Sequence, residues 1–430
     1  MKLKSPSAPL LQSGELKRNS RLCKRGAEGG LALAVFLTLS LIPEAQADES
    51  VWHSSWDGTL YGYIDNMKVR GDSLPNPGNL IARLAQNSST AETRFNLKAE
   101  SSNLSLTMRP VLLTRESQNI FGRGRTNEGY LSQWQLGLHA SEDSSLAAGR
   151  EILNWGPGQF RSPSSPFYFD NGRSNPMLEI SGMDDVKFSW TPDLQRTVTL
   201  ARITGSGHIP QDIWSNSWLL KADRRSDDWS GGLILEQTPG QGAFLGTHGQ
   251  LTASDAVLIY AEASSSTRAN ALLSVPGPPL PFGITPRSAR RTEVLAGAAY
   301  TFQNGQSLNA ELMYYGHGFT REEEGAYFSR AALNPAFAGQ ALAYAPPLLG
   351  RDYLHLVWQS NLMDTGGYWR IMLTHGYTDS GNELSGYGEI ALSGHVTAFV
   401  LGVVPAGNAR QEFSAIYTRA LTAGLKVALP

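Results

Sequence analysis

Along most of the chain apolar and polar side chains alternate with a period of two, the spacing at which successive strand residues face opposite ways. "ETRFNLKAE" sets Phe95, Leu97 and Ala99 against Arg94, Asn96, Lys98 and Glu100. "DDVKFSW" sets Val186, Phe188 and Trp190 against Asp185, Lys187 and Ser189. "SWLLKAD" and "YLHLVWQ" repeat the pattern, with Lys221 on the polar face of the first and His355 on that of the second. Such segments fall at roughly 59–65, 92–100, 104–114, 130–140, 145–153, 184–191, 196–204, 216–224, 228–236, 244–252, 255–264, 291–302, 307–317, 353–363, 367–378, 383–393, 395–404 and 417–429. That is about eighteen strands, with sixteen as the alternative count.

The connections alternate in length. "SEDS", "RRSDD" and "QNGQ" are tight turns, whereas Asn66–Ala91, Asn154–Met183, Ser265–Arg290 and Gly318–Asp352 are long. A soluble sandwich also alternates, because one face of each sheet is wet. Short turns at one end and long loops at the other distinguish a membrane barrel. Trp134, Trp190, Trp218, Trp229, Tyr300, Tyr314, Trp358 and Trp369 stand on or near strand ends on the apolar face, where aromatic girdles belong. The fold class expected is therefore all-β, a single antiparallel transmembrane β-barrel with long extracellular loops.

The N-terminus sets the compartment. Arg18, Arg21, Lys24 and Arg25 precede the apolar run Gly30–Ile42, and Ala45-Gln46-Ala47 follows. A basic region, a short apolar core and a small-x-small site make a secretory signal peptide. The expected organisation is a signal peptide over 1–47, cleaved near Ala47, and a barrel over 48–430 in the outer membrane of a Gram-negative bacterium. Cys23, the sole cysteine, precedes that site, which leaves no disulfide or Cys-ligated metal. A net charge of −2 leaves nucleic acid out as a partner. The partners expected are outer-membrane lipids and lipopolysaccharide, the β-barrel assembly machinery and, as a further candidate, a glycan ligand; no cofactor or metal is expected. The last strand alternates from Leu421 to Leu429 but ends on Pro430, where such barrels usually carry Phe or Trp.

One connection stands out. "NWGPGQFRSPSSPFYFDNGRSNPM" (Asn154–Met177) holds five aromatics, four prolines, three glycines and two arginines with no strand or helix period. A loop of this length without secondary structure is functional or disordered, and this one is too aromatic for disorder. It follows an odd-numbered strand, so it leaves on the outer side. Trp155, Phe160, Phe167, Tyr168 and Phe169 cannot all face water, so the loop is expected to fold inward onto the lumen mouth. As a lid it would narrow the pore. As a recognition loop its rings would stack on sugars while Arg161, Asn171, Arg173 and Asn175 bind hydroxyl or anionic groups. "IFGRGRTNEG" (Ile120–Gly129) reads as a second loop, bringing Arg123 and Arg125 to the same mouth, where with Arg150 they would attract anions. Lys187, Lys221 and Arg370 project from strands into the lumen as candidate solute contacts. Glu322, Glu323 and Glu324 lie on a further loop as a solvated charge run.

"GREILNWGPG" before a Ser/Pro/Asn-rich loop resembles the capsule-assembly Wzi-like group, where a strand ends in a similar Trp-Gly-Pro-Gly. The overall plan is similar to porin-like and alginate-export-like barrels. That resemblance implies an outer-membrane protein that handles polysaccharide or hydrophilic solutes; only Arg150, Trp155, Gly156, Pro157 and Gly158 match the motif. The leading expectation is a channel for hydrophilic, sugar-like or anionic solutes, narrowed by the aromatic/Arg loop. The alternative is a surface polysaccharide binding, export or assembly barrel with a closed pore. His139, His317, His375 and His395 stand isolated with no serine motif, so no enzyme is expected.

Overall fold

A computed structural model describes residues 52–208, 214–240, 242–267, 270–273, 283–286, 290–361 and 366–429. The expected signal peptide, its cleavage site and Pro430 lie outside the described residues. The first barrel strands are β1 (His53–Val69), β2 (Asn87–Glu100), β3 (Leu104–Asn119), β4 (Gly122–Ser141), β5 (Ser144–Glu151) and β6 (Met183–Asp193). They continue as β7 (Arg196–Gly205), β8 (Trp218–Arg225), β9 (Trp229–Gln237), β10 (Ala243–Ser254) and β11 (Val257–Ser266). A separate two-stranded hairpin, β12 (Asn270–Leu273) and β13 (Gly283–Pro286), stands between β11 and the next barrel strand. The wall closes through β14 (Arg291–Thr301), β15 (Ser307–Tyr315), β16 (Asp352–Gln359), β17 (Gly367–Gly376), β18 (Asn382–Ala391), β19 (Val396–Ala406) and β20 (Tyr417–Leu429).

Each barrel strand pairs antiparallel with the barrel strand before it, β14 with β11, and β1 pairs with both β2 and β20. The result is a closed barrel of 18 strands with no free sheet edge around its girth. Outward positions carry the apolar half of each alternation: Ile64 is 64% exposed and Val186 50%, while the inward Leu219 and Ile234 are fully buried. A belt of exposed Leu, Val, Ile and Phe around the whole wall is unlike a soluble surface and suits a lipid-facing one. Trp190, Trp218, Trp229, Tyr300, Tyr314 and Trp358 are exposed on that face, as girdle residues are. No described helix is long and apolar enough to cross a membrane.

Two readings of the connections are corrected. Ile120–Gly129 is not a mouth loop: β3 and β4 continue as a paired hairpin to Asn119 and Gly122, so Arg123 and Arg125 are strand residues. A register shift between Arg109 and Pro110 turns both arginines outward, in register with Gln118 and Glu116. Arg125 lies 3.9 Å from Glu116. The glutamate-bearing connection before β16 is not an irregular loop either, since it folds into α1 (Arg321–Ala331) and α2 (Pro335–Tyr344). Thr320 and Glu323 form a reciprocal capping box at the start of α1, and the Asn334 side chain accepts the Phe337 N–H to start α2. The helices bury Tyr327, Phe328, Ala331, Ala341 and Leu342 against Ala82, Ala415, Ile416 and Tyr417. Three long connections thereby fold into one cap.

Candidate functional site

The segment 152–182 leaves β5 and returns to β6, and between them it is tied to much of the wall. Its base is clamped by Arg150, which donates to Asp184 at 2.7 and 3.2 Å and to the Leu131 carbonyl at 2.8 Å. Beyond the base two buried wall carboxylates receive the chain. Glu262 on β11 accepts the Gly158 N–H at 2.6 Å, the Ser164 N–H at 3.1 Å, and the hydroxyls of Ser162 and Ser164 at 2.9 and 2.7 Å. Glu311 on β15 accepts the Gln159 and Phe160 N–H groups at 2.6 and 2.8 Å and the Tyr260 hydroxyl at 2.6 Å. The carboxylates thus satisfy backbone donors that irregular chain inside a barrel leaves without ladder partners.

Glycine makes the approach possible at two points. A Cβ on Gly156 would sit 2.1 Å from a carboxylate oxygen of Glu262, so the Trp-Gly-Pro-Gly turn is fitted to that acid. A Cβ on Gly297 of β14 would sit 2.5 Å from the Tyr260 ring, which crosses above Gly297 to reach Glu311.

The guanidinium groups bind the segment to itself and to β17. Arg173 and Asn171 both donate to the Gly158 carbonyl at 2.7 Å. Arg370 of β17 donates to the Arg173 carbonyl at 2.7 Å and to Gln159 Oε1 at 3.1 Å. Arg161 caps its own Phe160 carbonyl at 2.7 Å and lies over the Phe160 ring. On the far side Glu179 pairs with Arg94 of β2 at 3.1 Å and Arg109 of β3 at 3.3 Å.

The rings of the segment pack on the wall. Phe160 stacks on His355 with centroids 4.9 Å apart, Phe169 meets Tyr315, and Phe167 meets Trp214 edge to face. Trp155 and Phe167 also cover the inward Ala201, Leu219, Ile234 and Phe244, and Lys221 points at the Trp155 ring from 5.2 Å. Tyr168 packs on Leu153, Met183 and Ile203 and donates to the Ser181 carbonyl at 3.0 Å. Beside Arg161, Asn175, His355 and Glu383 a cavity of about 10 Å³ remains, roughly the room one water takes.

Of the candidate residues, the structure brings together Trp155, Arg161, Phe167, Tyr168, Asn171, Arg173 and Arg370 in or against one docked segment. Arg150 forms its base and Lys221 lies under it. Lys187 instead pairs with Glu151 at 2.5 Å on the wall, and Arg123 and Arg125 stand apart on the outward hairpin. Sequence reasoning did not single out Glu262 and Glu311, which hold the segment. The available signal was the inward apolar set, since Leu219, Ile234, Leu295 and Met313 have no reason to face a watery lumen unless something covers them.

No protein-family model matches the sequence, and no curated protein matches it. Among solved structures the chain is similar to Pseudomonas aeruginosa OccK5 (OpdH), with TM-score 0.55 and 10% identity over 88% of this chain and 98% of that one. It is similar to Acinetobacter baumannii OccAB1, with TM-score 0.54 and 11% identity over 90% and 99% of the two chains. A third likeness is to Pseudomonas aeruginosa OccK11 (OpdR), with TM-score 0.53 and 13% identity over 89% and 98%. The likeness is one of fold, the closed β-barrel described above.

Proposed function

We propose that the protein is an outer-membrane channel for hydrophilic, sugar-like or anionic solutes, narrowed by the inward segment 152–182. The observation that carries this reading is a closed 18-strand barrel whose polar inner wall is crossed by a docked segment. The wall is wetted by ion pairs such as Lys98–Glu100, Lys187–Glu151 and Lys426–Glu389, which hydrophilic solutes pass more readily than apolar ones. Glu262 and Glu311 are 1% exposed and enclosed by the segment's donors, while Arg173 is only half-buried and Arg109 is 34% exposed on its side chain. The charges a solute meets at the narrowing are accordingly cationic.

Reversal potentials in a potassium chloride gradient test this. The intact barrel is expected to prefer anions, and the double variant R173A/R370A to lower that preference by about twofold or more. A cation preference that the double variant leaves untouched would remove the anionic part of the reading.

A second reading keeps the same segment but gives the barrel a closed pore and a surface role in polysaccharide binding, export or assembly. It is favoured by how fully the segment and the cap fill the long-loop half. Against sugar stacking by this loop, Phe160 and Phe169 already lie on His355 and Tyr315.

A further inference from the structure

The cap is tied down by carboxyl groups that face one another. Asp379, in the β17–β18 connection, accepts the Gly381 N–H at 2.7 Å and the Glu412 N–H at 2.5 Å. Glu412, in the β19–β20 connection, accepts the Leu349 N–H at 2.8 Å, the Gly350 N–H at 3.4 Å and the Tyr353 hydroxyl at 2.5 Å. Glu324 of α1 is 1% exposed with no donor on either oxygen, and Asp379 and Glu412 are the acids that act on it.

The groups facing Glu324 are mostly acids and phenols, and the one cation is the weakest influence on it. Asp379 and Glu412 are acids, and Tyr327 of α1 and Tyr353 of β16 are neutral phenols. Arg321 is the nearby cation and favours the ionised form, but less than burial and the two acids oppose it, and its N–H groups donate to the carbonyls of Thr378 at 2.8 Å and Tyr377 at 3.3 Å. Arg351 turns to Glu323, and Arg410 to Ser329. Two carboxyl groups with no N–H or cation between them bond only if one carries a proton.

We propose that Glu324, set against Asp379 and Glu412, forms a proton-held latch that keeps the α1–α2 cap docked in acid and releases it as Glu324 and Glu412 ionise. Burial raises Glu324 from the ordinary 4.5 to about 10, with Asp379 and Glu412 adding repulsion. Burial likewise raises Glu412 to about 7, helped by Asp379 and opposed by its own donors. Both folded-state values lie above the unfolded one. The docked cap is therefore fully stabilised below about pH 4.5 and weakens as pH rises, first through about 7 and then toward about 10. An effect of this latch on conductance rests on the channel reading; the docking itself does not.

Hydrogen–deuterium exchange on the full barrel in detergent, corrected for intrinsic rates, tests the latch. From about pH 5.5 to about pH 8.5 the α1 amides of the wild type should lose at least about tenfold of their protection while the barrel strands keep theirs. E324Q offers a neutral amide in place of the shared proton, and its α1 protection should fall much less, leaving only the part that Glu412 carries. D379N, which removes the neighbouring acid but not the burial, should reduce the response in part, whereas the exposed E322Q should keep it whole. No loss in the wild type, or the same loss in E324Q as in the wild type, overturns the latch. Bilayer recordings at the same two pH values separate the two ideas: a released cap with no current at either pH leaves the latch standing and counts against the channel.

Discussion

Glu262→Ala should free the 152–182 segment from the wall and raise single-channel conductance several-fold, with the barrel itself still folded. Four bonds end on this carboxylate, two of them from the backbone N–H groups of Gly158 and Ser164. Alanine leaves those donors without a partner inside the barrel, at about 1–3 kcal/mol each and more for bonds to a charged acceptor. The bonds to Glu311 and Arg370 and the packing of the segment's rings then have to hold a long irregular chain against its entropy without that carboxylate. Glu100→Ala makes the comparison, because Glu100 is half exposed and paired only with Lys98, so current should barely change. Equal conductance in Glu262→Ala and the wild type would mean that the carboxylate does not hold the segment in place.

Phe328→Ala should unfold the cap while sparing the wall. Phe328 is 1% exposed and sits edge to face on Tyr327. Truncating a buried aromatic costs about 3–5 kcal/mol. Helices of 11 and 10 residues are too short to persist without their packing. Limited proteolysis should cut within residues 321–344 in the variant and spare them in the wild type, while the heat-modifiable migration of the folded barrel stays the same. A variant as protected as the wild type would show that the cap draws its stability from elsewhere.

The wall was largely legible before any coordinates. Period-two alternation located all eighteen barrel strands because each must present lipid on one side and water on the other, a rule that acts locally along the chain. The packing of the aromatic connection's rings follows from a similar reason, since Trp155, Phe160 and Phe167 needed cover and meet buried groups of the barrel strands. What escaped was set by pairing across the sheet. Residues 120–129 read as a loop because glycines and arginines interrupt the alternation, yet β3 continues beside them and carries β4 onward. The shift at Arg109/Pro110 then decides which way Arg123 and Arg125 point, and no spacing in the sequence announces it. The anchoring role of Glu262 and Glu311 was hidden because a carboxylate on a lumen face reads as part of a wetted wall. Only the register that sets Tyr260, Gly297 and Glu311 side by side reveals it. The start of α1 was more accessible: Thr320 and Glu323 have capping-box spacing, but the three glutamates that follow Arg321 were read as a solvated charge run.

Single-channel conductance in a planar bilayer, compared between the intact barrel and one lacking Gln159–Asn175, bears most directly on the central claim. The account predicts a steady, small conductance for the intact form, and a larger one with altered ion preference once the segment that binds Glu311 and Arg370 is gone. Identical conductance and ion preference in the two forms would contradict it, because the segment would then not lie in the path of the ions.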